Sequence, residues 1–195
     1  RIDLKIARAR FVACISWFAR SQGMLFSDTA YWGKLHIVHC GVDPALYDRP
    51  RREPAGRLLF VGRIDPIKGL RVLLDAFEAL RARHPRATLT LVGDGPDRAR
   101  LEAEAAARGL EEAVRFTGYL AQAAVAERLA EADVFVLPSF AEGVPVELME
   151  ALAAQVPVVA SAVAGVGELV EDGVSGFLVP PGDAETLADR LGRLL

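Results

Sequence analysis

Residues 57–92, RLLFVGRIDPIKGLRVLLDAFEALRARHPRATLTLV, decide the fold. RLLFVG at 57–62 is an apolar run without polar alternation, the pattern of a strand covered on both faces. Over 69–83 the apolar period becomes that of a helix, with Leu70, Leu73, Leu74, Phe77 and Leu80 on one face. ATLTLV at 87–92 returns to strand. Downstream the alternation continues. Strands are expected at 113–117, 133–137, 157–160 and 176–179. Helices are expected at 96–108, 121–131, 145–154 and from 184 onward, capped by Asp183, with a short helix or turn at 166–171. Strands alternating with helices predict an α/β fold, a doubly wound parallel sheet with helices on both faces.

Upstream the rhythm is looser. FVACIS at 11–16 is of strand type, a helix follows from Trp17 with Ser16 as N-cap, and LHIVH at 35–39 is a further strand. GVDPALYDRPRREPAG at 41–56 then brings Pro44, Pro50 and Pro54 with three close arginines, and reads as a linker.

Composition sets the outer limits. The 195 residues are 52% apolar and 25% charged, which excludes a disordered chain. A chain of this length buries about 70% of its unfolded surface and needs no disulfide or metal staple. A net charge of -3 gives no basic footprint, so nucleic acid is not an expected partner. Two cysteines, Cys14 and Cys40, are too few for a disulfide framework or a four-ligand zinc site. There are 20 Arg against 3 Lys, 32 Ala and no Asn, which points to a GC-rich bacterial coding sequence. No apolar stretch is long enough to span a bilayer, and a cytoplasmic location is expected.

Ligands of open α/β sheets sit beyond the carboxyl ends of strands, which directs attention to the loops there. The usual phosphate fingerprints fail: Gly62 to Lys68 lacks Walker spacing, and Gly93-Asp94-Gly95 is followed by Arg98 where a third Gly would stand. Two other loops carry chemistry. In VGRIDPIKG at 61–69, Arg63 leaves a strand and Lys68 enters the following helix, so two cations stand ready to grip a diphosphate. The alternative is a solvated loop. In PSFAEGVPVELME at 138–150, Pro145 suits a first helical turn, and the amides of Gly143 and Val144 are free to point at an anion. Glu142 and Glu150, separated by seven residues, are two carboxylates able to hold different hydroxyls of one ligand. The alternative is a surface helix with acids in its first turns, the role expected of Glu147.

Taken in order, the motifs resemble the GT-B retaining glycosyltransferases of the group-1 family (family 4). The matching elements are HCGVD at 39–43, VGRIDPIKG at 61–69, LVGDGP at 91–96, RFTGYL at 115–120, ADVFVLPSFAEGVPVELMEA at 132–151, VPVVAS at 156–161 and DGVSGFLVPPGD at 172–183. The wording is most similar to bacterial exopolysaccharide members of the colanic-acid type.

The resemblance implies a nucleotide-sugar donor and a glycan or polyprenyl-linked saccharide acceptor. It assigns Arg63 and Lys68 to the donor diphosphate beside Gly62, and Glu142 to the sugar hydroxyls. Gly143 and Val144 fall near sugar and phosphates, Glu150 at the ribose, and Tyr119 and Leu120 at the base. The catalytic set implied is Glu142, Arg63 and Lys68. Many members carry Phe then Gly where this chain has Val144 and Pro145, and Pro145 has no N–H. No metal or other cofactor is expected, and no Asp-x-Asp pair occurs.

The resemblance also divides the chain. Residues 1–42 would close an acceptor domain, 43–55 would be the hinge, and 56–195 the donor domain, incomplete at its C-terminus. Arg1 and Leu195 are then cut points. The fragment alone is expected to be inactive, with membrane contact at the inner face made through the rest of the first domain. A GT-B sugar-nucleotide epimerase and a non-catalytic nucleotide-sugar-binding module are the alternatives.

Overall fold

The computed structural model describes residues 1–195. α1 (Ile2–Arg8), β1 (Val12–Cys14), α2 (Trp17–Leu25) and β2 (Leu35–Ile37) come first. β1 and β2 pair in parallel, with Val12 opposite Leu35. They enclose a small core of Ile6, Cys14 and Leu35.

The second part follows the expected alternation. It runs β3 (Arg57–Val61), α3 (Leu70–Arg81), β4 (Thr88–Val92), α4 (Arg98–Ala107), β5 (Val114–Gly118), α5 (Gln122–Glu131), β6 (Val134–Leu137), α6 (Val146–Ala153), β7 (Val158–Ser161), β8 (Gly176–Val179) and α7 (Ala184–Leu194). The six strands form one parallel sheet in the order β5-β4-β3-β6-β7-β8. The chain winds outward from β3 to β5, then returns to lay β6 against β3. Right-handed crossovers therefore put α3 and α4 on one face and α5 and α6 on the other. α7 packs on α3, and α5 on α6. The reversal of strand order places a crevice at the carboxyl ends of β3 and β6, lined by the loops that follow them.

A single cluster of 42 buried residues forms the core of this part. Every residue of β6 and β7 is buried, which is why those strands show no polar alternation. α3 buries the predicted face of Leu70, Leu73, Leu74, Phe77 and Leu80. Each such side chain contributes about 1.5–3 kcal/mol of burial. The expected caps are present: Ser16 accepts from the Ala19 amide and Asp183 from the Thr186 amide.

Several expectations are corrected. α1 is a helix that had no predicted counterpart. Lys68 does not enter α3. It ends a 3-10 turn, Pro66–Lys68, and Gly69 at φ +66° starts the helix at Leu70. Pro145 is the N-cap of α6 rather than a first-turn residue. The short turn expected at 166–171 is a 3-10 helix at Ala164–Glu168.

The segment read as a linker is bound down along its length. Tyr47 is only 2% exposed and belongs to the large core. Arg51 donates to the carbonyls of Ala132 and Ala154, at the ends of α5 and α6, at 2.8 and 3.4 Å. Arg52 pairs with Glu131 at 2.8 Å. Asp133 accepts from the amides of Ala55 and Arg57 and from the Arg57 guanidinium. Cations at helix carboxyl ends satisfy carbonyls that the helix itself leaves unpaired.

The first part meets the second at the amino end of α2. The Glu168 carboxylate accepts the amides of Trp17 and Phe18, both at 2.9 Å. A negative charge at a helix N-terminus is favourable, because unpaired N–H groups and the helix dipole point at it.

Candidate functional site

The crevice between β3 and β6 brings two loops into direct contact. The Phe140 amide donates to the Ile67 carbonyl at 2.8 Å. A Cβ on Gly69 would stand 2.1 Å from the Pro138 carbonyl oxygen, so only glycine admits this approach, besides supplying the positive φ. On the other flank the turn after β4 presses against the loop after β3. The Gly62 amide donates to Val92, and Ile64 to Asp94, both at 2.9 Å. A Cβ on Gly93 would lie 1.9 Å from the Gly62 oxygen.

Lys68 and Glu142 meet in the crevice. Their Nζ–Oε1 distance is 2.7 Å, with the side chains 13% and 9% exposed. A buried pair of this kind is held by mutual attraction, because either charge alone is poorly solvated there. Arg63 is the exposed cation of the site: its side chain is 71% exposed and pairs with Asp65 at 3.4 Å.

The amino end of α6 completes the wall. It has no capping side chain, and the amides of Gly143, Val144, Val146 and Glu147 donate to no protein acceptor. These N–H groups and the helix dipole form an electropositive rim beside Lys68. Glu147 lies nearer the crevice than expected of a surface acid, its Oε1 being 3.7 Å from where a Cβ on Gly62 would stand.

Glu150 lies one turn deeper in α6 and is buried. Its Oε1 accepts from the Tyr47 hydroxyl at 2.6 Å, and Gln122 Nε2 donates to the same hydroxyl at 3.2 Å. Tyr119 and Leu120 line a hollow of about 340 Å³ with Gly62, Arg63, Gly93 and Asp94. Tyr119 is 83% exposed. A larger hollow of about 450 Å³ opens beside Gly56 and Arg86, but at the amino ends of the strands, away from the switch point.

The nine expected positions therefore fall into adjoining groups at one end of the sheet. Gly62, Arg63, Tyr119 and Leu120 frame the hollow. Lys68 and Glu142 are paired in the crevice, with Gly143 and Val144 at its rim and Glu150 behind them on α6.

The family model described as glycosyl transferases group 1 matches residues 55–195, which include all nine of these positions. The chain belongs to the group 1 glycosyl transferases.

Similar members of the family include the amylovoran biosynthesis glycosyltransferase AmsK of Erwinia amylovora. It is 37% identical over 170 residues, 83% of this chain and 42% of that protein. The putative colanic acid biosynthesis glycosyltransferase WcaL of Escherichia coli K12 is 38% identical over 167 residues, 81% of this chain and 41% of that one. The chain thus spans about two fifths of the length of these relatives. Among solved structures, Anabaena Alr3699/HepE in complex with UDP superposes with a TM-score of 0.86 at 25% identity, over 98% of this chain and 56% of that one. Sucrose-phosphate synthase from Thermosynechococcus elongatus gives 0.84 at 28% identity, over 99% and 51%. The fold of this group 1 chain is that of GT-B glycosyltransferases.

Three site features of this group 1 chain escaped the sequence. Tyr47 and Gln122 hold Glu150, and Gly93 sets the spacing of the two loops. The signal for Gly93 was present in the turn Gly93-Asp94-Gly95-Pro96, but its partner loop lies 31 residues earlier in the chain. Tyr47 carried no local signal, being surrounded by prolines and arginines.

Proposed function

We propose that the protein containing this chain is a retaining glycosyltransferase. It moves a sugar from a nucleoside-diphosphate sugar to a glycan or lipid-linked saccharide in exopolysaccharide biosynthesis. The observation that carries this is the Lys68–Glu142 pair at the switch point, beside unbonded amides and the exposed guanidinium of Arg63. Kinship with AmsK and WcaL supports the biosynthetic setting. The structure of HepE in complex with UDP makes uridine diphosphate sugars the first donors to test.

In this mechanism residues 56–195 hold the donor, residues 43–55 form the hinge, and residues 1–42 belong to the acceptor domain. The base lies in the hollow beside Tyr119 and Leu120, with Gly62 at the turn toward the phosphates. Glu150 takes the ribose hydroxyls. Arg63, Lys68 and the amides of Gly143 and Val144 take the diphosphate. Lys68 turns from Glu142 to phosphate as the donor arrives, which frees Glu142 for the sugar hydroxyls.

Breaking the sugar–phosphate bond leaves positive charge on the sugar ring and adds negative charge to the diphosphate. Cations and amides fixed at the diphosphate bind that charge more strongly as it grows, which lowers the barrier. Charge-assisted bonds of about 1.5–3 kcal/mol each supply several kcal/mol in total. The protein groups thereby fill the role of a divalent metal, and no cofactor is required. Tyr119 and Leu120 act through shape and backbone, so they tune affinity and not the chemical step.

No helix of the chain is long and apolar enough to cross a membrane. A lipid-linked acceptor would bring the enzyme to the inner face of the cell membrane from the cytoplasm. The chain spans about two fifths of the length of AmsK and WcaL, and by itself it is expected to bind donor without transferring sugar. A donor screen by calorimetry with UDP-, GDP- and ADP-sugars tests this. One donor is expected to bind, with no product formed. Failure of every donor to bind contradicts the proposal.

A further inference from the structure

The other polar side chains of the 43–55 segment lie at the surface, in water or paired with α5 and its carboxyl end, yet Tyr47 is buried in the core. A phenylalanine would fill the same space without burying an oxygen. Burying a hydroxyl is unfavourable unless it is hydrogen-bonded, and this one is bonded twice. It donates to Glu150 Oε1 at 2.6 Å and accepts from Gln122 Nε2 at 3.2 Å. Burial, then the bond to Glu150, pushes the phenol above its ordinary value of 10, so it remains a donor.

The two oxygens of Glu150 are thereby made unequal. Oε1 is taken up by Tyr47. Oε2 accepts no hydrogen bond from the protein and is not sealed from solvent. A carboxylate on a flexible three-torsion stem has several accessible rotamers. The Tyr47 bond selects one of them.

We infer that Tyr47 is a positioning residue for nucleotide recognition: with Gln122 behind it, it holds Glu150 so that Oε2 faces the ribose hydroxyls. This rests on the proposed role of Glu150 at the ribose. It ties the 43–55 segment to the nucleotide across 103 residues of sequence. Tyr47 itself touches no ligand in this arrangement.

The test compares ribose with a sugar lacking hydroxyls. Calorimetry on the chain uses UDP and GDP, each against its 2′,3′-dideoxy analogue. Wild type is expected to favour the ribose form of whichever base binds by about tenfold, the value of one charge-assisted hydrogen bond. Glu150→Gln should reduce that preference to about twofold or less, since the neutral amide is the weaker partner. Tyr47→Phe should reduce it about fivefold, while affinity for the dideoxy analogue stays within about twofold. Gln122→Leu, which leaves Tyr47 in place, should lower the preference in the same direction by about twofold, and it serves if Tyr47→Phe does not fold. Equal losses for both ligands in Tyr47→Phe, or no loss for either, overturn the positioning role even where Glu150→Gln abolishes the preference. A preference that survives Glu150→Gln removes Glu150 from the ribose, and the role of Tyr47 falls with it.

Discussion

Replacing Lys68 by Met keeps most of the aliphatic stem and removes the charge. What remains is the Glu142 carboxylate with a tenth of its side chain in water and no partner. Breaking a fully buried pair by removing one member costs about 3–5 kcal/mol. Both side chains here keep some access to water, so about 2 kcal/mol is expected. For a chain of this size that lowers Tm by about 4–8 °C. Glu142→Gln should cost less, because the amide oxygen still accepts from the Lys68 ammonium, and that side chain keeps more access to water than Glu142 does. The double variant Lys68→Met/Glu142→Gln should recover at least half of the Lys68→Met loss, since no charge is then stranded. Thermal unfolding followed by circular dichroism on the four proteins closes the cycle. Additive losses in the double variant would show that the two groups are energetically independent, and would refute the argument that they form one unit in the ligand-free crevice.

Other expectations follow from single contacts. Gly93→Ala would place a methyl 1.9 Å from the Gly62 oxygen, so a loss of at least about 3 kcal/mol is expected in urea unfolding; a loss under about 1 kcal/mol would contradict the close approach of the loops. At Asp133, burial opposes ionisation, and the Arg57 guanidinium with the amides of Arg57 and Ala55 outweighs it, holding the carboxyl below its ordinary 3.8. Because its pKa is lowered on folding, its contribution is complete above 3.8 and is lost as pH falls through the lowered value. The stability difference between wild type and Asp133→Asn should therefore be flat above about pH 5 and shrink in acid; a difference independent of pH down to full acid unfolding would count against the charge. Glu168→Ala removes the acceptor of the Trp17 and Phe18 amides and should cost about 1 kcal/mol, with faster hydrogen exchange at those two positions; unchanged exchange would show that the cap is not formed in solution.

Much of the sheet was legible because its strands are uniform. β6 and β7 are covered on both faces, so VFVL and VVAS carry no polar residue except at the last position of β7. α3 was legible for the opposite reason, its apolar face being set off by Arg71, Asp75 and Glu78. α1 was not, since IDLKIAR buries only Ile6 and has too little periodic contrast. Prolines and arginines marked the 41–56 stretch as a connection but gave no sign of its anchoring: Arg51 and Arg52 meet the end of α5, and Tyr47 enters the core.

The same holds for the site. Gly62, Arg63 and Lys68 could be placed at one strand end and Glu142 at another from local pattern. That these two ends are neighbours follows from the return of β6 to β3, which is a property of strand order and has no local signature. The Lys68–Glu142 pair and the Tyr47–Glu150 bond span 74 and 103 residues, beyond the reach of any period of 2 or 3.6.

The central claim is that the crevice between β3 and β6 grips a diphosphate. Calorimetry of UDP against uridine, and GDP against guanosine, on wild type, Arg63→Ala and Lys68→Ala tests it most directly. Each variant is expected to lose about tenfold or more for the nucleoside diphosphate that binds, and less than about twofold for its nucleoside. Equal losses for both ligands, or none for either, would show that Arg63 and Lys68 do not hold the phosphates.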